Sequence, residues 1–278
     1  MRRQFAAAIV LTLSIASSAR AAPDLAERLQ EADRLAWLTD WYSALPIYSE
    51  VERAALKAGS RRDAMYAKFG RLRGQMQTLP LPDISEQIAV DLESALAKRD
   101  PKLRLRGLTV KGDIDLEWDI QAAHRDWQEA RELARELGDK AWENRANGEL
   151  GIIAFLKGNT GEATKLVQQA LQVATQSGDV GGQLRYMGTI ANGLVLAGYT
   201  PLAMGYVDRA LKFAGEHPEV GYPYVVYSTK VLALLSQNQP DEAERFAKAA
   251  MVEARVGDRR INTTLSDSQR RVPLEADG

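Results

Sequence analysis

Arg145 and Arg185 lie 40 residues apart in a chain of 278, each beside hydrogen-bonding side chains. Asn144, Asn147 and Glu149 accompany the first; Tyr186, Thr189 and Asn192 accompany the second. Two guanidiniums brought side by side would hold a carboxylate or an acidic peptide by charge-assisted hydrogen bonds, which are shorter and stronger than neutral ones. Arg145, Glu149, Arg185, Tyr186 and Asn192 are therefore the candidate peptide-binding residues. The same residue types also form intramolecular ion pairs on a solvated helix face, and that alternative stays open on sequence alone. Glu149, beside Leu150-Gly151, is the acid best placed for catalysis. Sugar cleavage, however, ordinarily needs a second carboxylate or a substitute nucleophile.

Other chemistry is thin. His124 and His217 are the two histidines, and neither has a second ligand at metal spacing. No Gly-x-Ser-x-Gly elbow occurs. Gly158-Asn159-Thr160-Gly161 lacks the Gly-Lys-Ser/Thr ending of a phosphate loop. No metal, no cofactor and no enzymatic activity are expected. Tyr222, Tyr224 and Tyr227, with Val225 and Val226, open one helix; packing accounts for most of them, and one left exposed would serve as an anchor.

The elements that must position these residues repeat. Ala163, Ala203 and Ala243 are 40 apart, and Ala170, Ala210 and Ala250 follow each by seven. Ala123 and Ala130 repeat the pair upstream, Ala44 lies 79 residues before Ala123, and a degenerate copy fills Ile84 to Ala97. A fixed period in this range is the mark of a helical solenoid. In the clearest unit, Lys140 to Phe155 carries apolar residues at helical spacing, Gly158-Asn159-Thr160 breaks it, and a second helix starts near Gly161. Gly178 should stop that helix and Asp179 cap the next. The following units read Gln183 to Leu196, then Pro201 to Ala214, then a helix from Tyr222-Pro223 and one from Asp241 to Val256. The alanines mark crossings where two antiparallel helices come close, with Leu150-Gly151 as a matching gap. Leu79-Pro80-Leu81-Pro82-Asp83 predicts a loop or bent entry, Asp100-Pro101 a stop and restart, and Lys102 to Asp113 a helix.

Leu150-Gly151, Ala163, Ala170 and the aromatic Tyr48 or Trp127 four residues after Ala44 and Ala123 resemble the tetratricopeptide repeat. So does Trp41-Tyr42-Ser43-Ala44-Leu45-Pro46-Ile47-Tyr48, similar to that family's turn into its second helix. The resemblance spans Asp24 to Asp258, with a pitch near 40 rather than about 34 and Gly-Asp in place of the closing proline. It implies an all-α, right-handed superhelical solenoid of antiparallel helix pairs. It also implies that the first helix of each pair lines a concave groove for a protein or peptide partner. Three functional readings follow in order: an exported scaffold; the sensory or regulatory front of a larger signalling or caspase-like protease; a superhelical cell-wall lytic enzyme.

The ends complete the reading. Arg2 and Arg3, the apolar run Phe5 to Ala16 and Ala19-Arg20-Ala21 predict a signal peptide over residues 1–21, cut after Ala21, hence a periplasmic or secreted protein. Residues 22–258 are expected to form about six helix pairs, one degenerate near 79–100, and 259–278 a polar tail. Cysteine is absent, so no disulfide forms. Thirty-six basic against 37 acidic residues argue against a nucleic-acid partner. No second apolar run approaches membrane-spanning length. The last repeat lacks a polar capping helix, which makes self-association through that end a further expectation.

Overall fold

The computed structural model describes residues 25–252, and within them every regular element is a helix. The expected signal peptide and polar tail lie outside these residues. In chain order come α1 (Leu25–Trp37), α2 (Trp41–Ala58), α3 (Arg61–Gly74), α4 (Leu81–Leu92), α5 (Ala95–Arg99) and α6 (Pro101–Asp115). Then follow α7 (Ile120–Glu136), α8 (Lys140–Leu156), α9 (Thr160–Ser177), α10 (Val180–Leu196), α11 (Thr200–Glu216) and α12 (Tyr224–Ser236). A further helix begins at residue 240 and runs at least to 252.

Local chemistry sets the boundaries. Asp40, Asp100, Asp119, Asp139 and Asp179 each accept a hydrogen bond from a free N–H in the first turn of the helix that follows. Gly138 and Gly178 both adopt φ +69°, the left-handed conformation that closes a helix and that a Cβ disfavours. The Gly-Asp pairs at 138–139 and 178–179 thus end one helix and cap the next, as their sequence predicts.

Consecutive helices pack on one another, and the first helices α3, α6, α8, α10 and α12 also pack in series. Ala44, Ala123, Ala163, Ala203 and Ala243 are all buried, as the crossing register requires. The aromatics four residues on fill the same seam. Tyr48 lies against Gly70 of α3 and Trp127 against Gly112 of α6, so closely that a Cβ on either glycine would stand 2.6–2.7 Å from ring atoms. Gly151 leaves the matching room for Val167 of α9.

The irregular unit departs from expectation. Leu81-Pro82 does not form a loop; the prolines at 80 and 82 sit at the N-cap and within the first turn of α4, where a missing N–H costs nothing. The single helix expected over Ile84 to Ala97 is two, because Ser94 caps α5 through Ala97 N–H. Gly112-Asp113 lies inside α6 and does not end it. Trp41 to Tyr48 is already helix, and the turn is at 38–40.

That α1–α2 turn reaches far along the chain. The Trp37 indole N–H donates to Asp179 Oδ1 at 2.8 Å, and its ring meets Trp142 edge-on at 5.0 Å between centroids. The Gly221 N–H donates to the Leu38 carbonyl at 2.8 Å. The first pair therefore rests on the N-terminal ends of α8 and α10 and on the segment leading into α12.

Candidate functional site

Stacking the first helices brings residues one pitch apart into register, and in this protein that register is charged. Arg73 on α3 donates Nε to Asp113 Oδ2 on α6 at 2.9 Å. Arg145 on α8 approaches Asp113 Oδ1 at 3.4 Å through Nη2 and donates Nε to Glu149 Oε1 at 2.6 Å. Arg185 on α10 donates Nη1 to the same Oε1 at 3.0 Å. A continuous chain, Arg73–Asp113–Arg145–Glu149–Arg185, thus crosses four helices with three cations and two anions.

Burial makes these charges consequential. Glu149 is wholly buried and Arg145 is 8% exposed, while the Arg185 side chain keeps 21% exposure. Burial pushes the Asp113 carboxyl up, but Arg73, Arg145 and Arg185 overcome it and hold it at about 2. Burial pulls the Arg185 guanidinium down, and the like charge of Arg145 pulls it further. Arg185 is thus the strained member, at the open end of the chain.

Arg145 and Arg185 come together as their spacing predicts, but on opposite sides of one glutamate. Their ion pairs are intramolecular, and buried rather than solvated. Tyr186 is 1% exposed and packs on Gly148. Asn192 donates to Thr229 Oγ1 at 3.3 Å, Asn144 donates to the Ala170 carbonyl, and Thr189 Oγ1 donates to the Arg185 carbonyl. The Tyr222 hydroxyl donates to the Ala250 carbonyl and its ring stacks on Tyr227 at 4.8 Å, whereas Tyr224 is 62% exposed. His217 bonds Glu219, and among the described residues no group of His, Asp or Glu is placed to hold a metal.

Beside this chain is a cavity of about 420 Å³, within the range of small-ligand sites. Its charged lining is Arg73, Glu149, Arg185 and, at an exposed position, Glu117. Leu184, Asn192 and Leu196 of α10, Phe155 of α8, Val226 of α12 and Thr39 of the α1–α2 turn complete much of its wall. A larger groove of about 700 Å³ between α9 and α11 is lined by apolar and neutral polar side chains alone. The smaller cavity is the candidate site because it alone of the two carries ionised groups aimed at a ligand.

No family model matches the chain, and no curated protein matches it either. The functional reading therefore rests on geometry.

Two further clusters are structural. Asp33 accepts from the Tyr48 and Tyr66 hydroxyls at 2.6 and 2.7 Å, and buried Arg106 donates to the Tyr48 oxygen at 2.7 Å. Lys111 donates to Asp115 and Asp126 at 2.5 and 2.9 Å. Burial, reinforced by the neighbouring Asp115, pushes the Asp126 carboxyl up to about 6 despite Lys111.

Sequence reasoning missed Arg73, Asp113 and the Thr39 wall. The signal for the first two was present, since they too are 40 residues apart. Nothing local marked Thr39.

Proposed function

We propose that this protein is a binding scaffold without catalytic machinery of its own. It is a right-handed superhelix of tetratricopeptide type, exported to the periplasm or secreted, and takes an acidic peptide segment of a protein partner at the cavity beside Arg185. The one observation that carries this is the charge excess. Three guanidiniums share two carboxylates in a buried chain, and the surplus falls on Arg185, the member that borders the cavity. A buried, incompletely compensated cation is costly, and a ligand carboxylate would relieve it. The repeat type is supported by the period of the buried alanines and by antiparallel pairs that stack through their first helices. Among the described residues no helix is long and apolar enough to cross a membrane.

The test is peptide selection on the immobilised protein, followed by fluorescence anisotropy with one selected peptide. Selected sequences should be rich in Asp and Glu, and Arg185→Gln should weaken binding at least about tenfold, the worth of one charge-assisted hydrogen bond. Selection without acidic enrichment, or equal binding by the variant, would refute the reading.

A further inference from the structure

Glu149 is unusual within the site. Its Oε1 accepts from two arginines, while Oε2 is buried with no protein partner. A buried carboxylate oxygen left unbonded costs the desolvation of that atom, about 1–3 kcal/mol or more for a charged group. Arg185 has the complementary deficit: Nη1 is bonded, and no described residue accepts from Nε or Nη2. Both side chains border the 420 Å³ cavity, one short of a donor and the other short of an acceptor. The opposite wall is apolar, with Phe155, Leu184, Leu196 and Val226.

Resting on the reading of this cavity as the binding site, we propose that its preferred occupant is a compact apolar carboxylate bearing a hydrogen-bond donor on the adjacent carbon. The carboxylate meets the free Arg185 N–H groups, the donor meets Glu149 Oε2, and the hydrocarbon body lies on the Phe155–Leu184–Val226 wall. Matching both deficits at once distinguishes such a ligand from a simple anion, which satisfies Arg185 and leaves Glu149 as it was. It also gives shape to the acidic peptide reading, because only a short stretch of chain fits a cavity of this volume.

Two probes differ by a single atom: 3-phenylpropionate and 3-phenyllactate, which adds a hydroxyl beside the carboxylate. Each is titrated calorimetrically into the full chain and into Arg185→Gln, with the selected acidic peptide run in parallel. Expected are saturable binding of both acids, about tenfold tighter for 3-phenyllactate, and a loss of about tenfold or more in the variant. Circular dichroism of the variant confirms that it folds, and Arg185→Lys, which keeps the charge, should recover part of the affinity. Equal affinity for the two acids would overturn the role of Glu149. No saturable binding of either acid, or binding unchanged in Arg185→Gln, would overturn the proposal. Acids failing while the peptide binds removes this inference and leaves the scaffold reading; acids binding while the peptide fails does the reverse.

Discussion

Replacing Gly148 with alanine should destabilise the protein, while the same exchange at Gly205 should stabilise it. Both glycines lie inside helices, α8 and α11, where alanine is favoured by about 1 kcal/mol. Gly205 is exposed and a Cβ there meets nothing within 4 Å, so Gly205→Ala should gain roughly 0.5–1 kcal/mol. At Gly148 the new methyl would stand 2.3 Å from Tyr186 Cε1 and 2.6 Å from Cζ and the hydroxyl oxygen. Tyr186 is 1% exposed, so its ring has little room to yield and α10 must move away from α8. Overpacking of this kind costs about 1–3 kcal/mol, and the severity of the contact places Gly148→Ala at the upper end, which outweighs the helix gain. The net loss is about 1–2 kcal/mol, or a fall of roughly 2–8 °C in Tm for a domain of this size. Moving α10 also lengthens the 3.0 Å Arg185–Glu149 bond, so ligand binding should weaken together with stability. Urea denaturation and thermal melts of both variants and of Gly148→Ala/Tyr186→Leu form the assay. The leucine removes the ring atoms the methyl would strike, and a coupling of about 1 kcal/mol or more is expected. A Gly148→Ala variant that gains stability as Gly205→Ala does would refute the packing of α8 on α10 described above.

The α1–α2 turn offers a second test: a Cβ on Gly181 would stand 2.4 Å from the Trp37 carbonyl oxygen, so Gly181→Ala should release the turn. The Gly221 amide, bonded to Leu38 O, should then exchange its hydrogen faster by mass spectrometry, and unchanged protection would refute the contact. The raised Asp126 carboxyl predicts a pH dependence. An acid whose folded-state pKa exceeds its unfolded value stabilises the fold fully only below the unfolded value, and that contribution is lost as pH rises through the folded one. Between about pH 4 and 6, therefore, wild type should lose stability relative to Asp126→Asn, and parallel curves would contradict this. Arg145→Ala, which strips both Asp113 and Glu149 of a partner, should cost about 3–5 kcal/mol in urea denaturation. A loss under 1 kcal/mol would mean that the chain of ion pairs is not maintained in solution. The mature N-terminus of exported protein should be Ala22, read by peptide mapping; an intact Met1 on protein recovered outside the cytoplasm would count against the leader.

The helical class, the helix pairs from residue 120 onward and the buried alanine register were legible in the sequence, because each is dictated locally. An apolar residue every three or four positions, a glycine in the left-handed conformation and an aspartate cap are properties of short segments. The segment near residue 90 was harder because its signals are ambiguous. Pro82 permits a helix start as readily as a loop, and Ser94 caps a new helix as readily as it sits within an old one. The site was half legible. The 40-residue spacing of Arg145 and Arg185 places them on neighbouring first helices, but not which acid stands between them. Glu149 shares Arg145's helix face at four residues' distance, so its position between the two arginines is a property of how α10 lies on α8. Thr39 reaches the cavity only because the first pair returns to meet the fifth and sixth, a contact set by the accumulated rotation of every unit between.

A charged seam is an uncommon interior for a repeat array. Neighbouring units can adhere through apolar contacts alone, and a buried ion pair is often no more stable than the apolar side chains that would replace it. What the seam adds is a fixed arrangement. Each carboxylate is held by arginines from two different helices, so α3, α6, α8 and α10 can shift along one another only by leaving a buried charge unpaired. Apolar stacking alone would tolerate such sliding at little cost. The seam thus sets the register of the helices that carry the cavity wall, and it ends on the one arginine with N–H groups to spare. Stability and binding are consequently coupled through the same five side chains. Substitutions far from the cavity, at Arg73 or Asp113, should alter affinity by changing how tightly Glu149 is held and how much positive charge is left at Arg185.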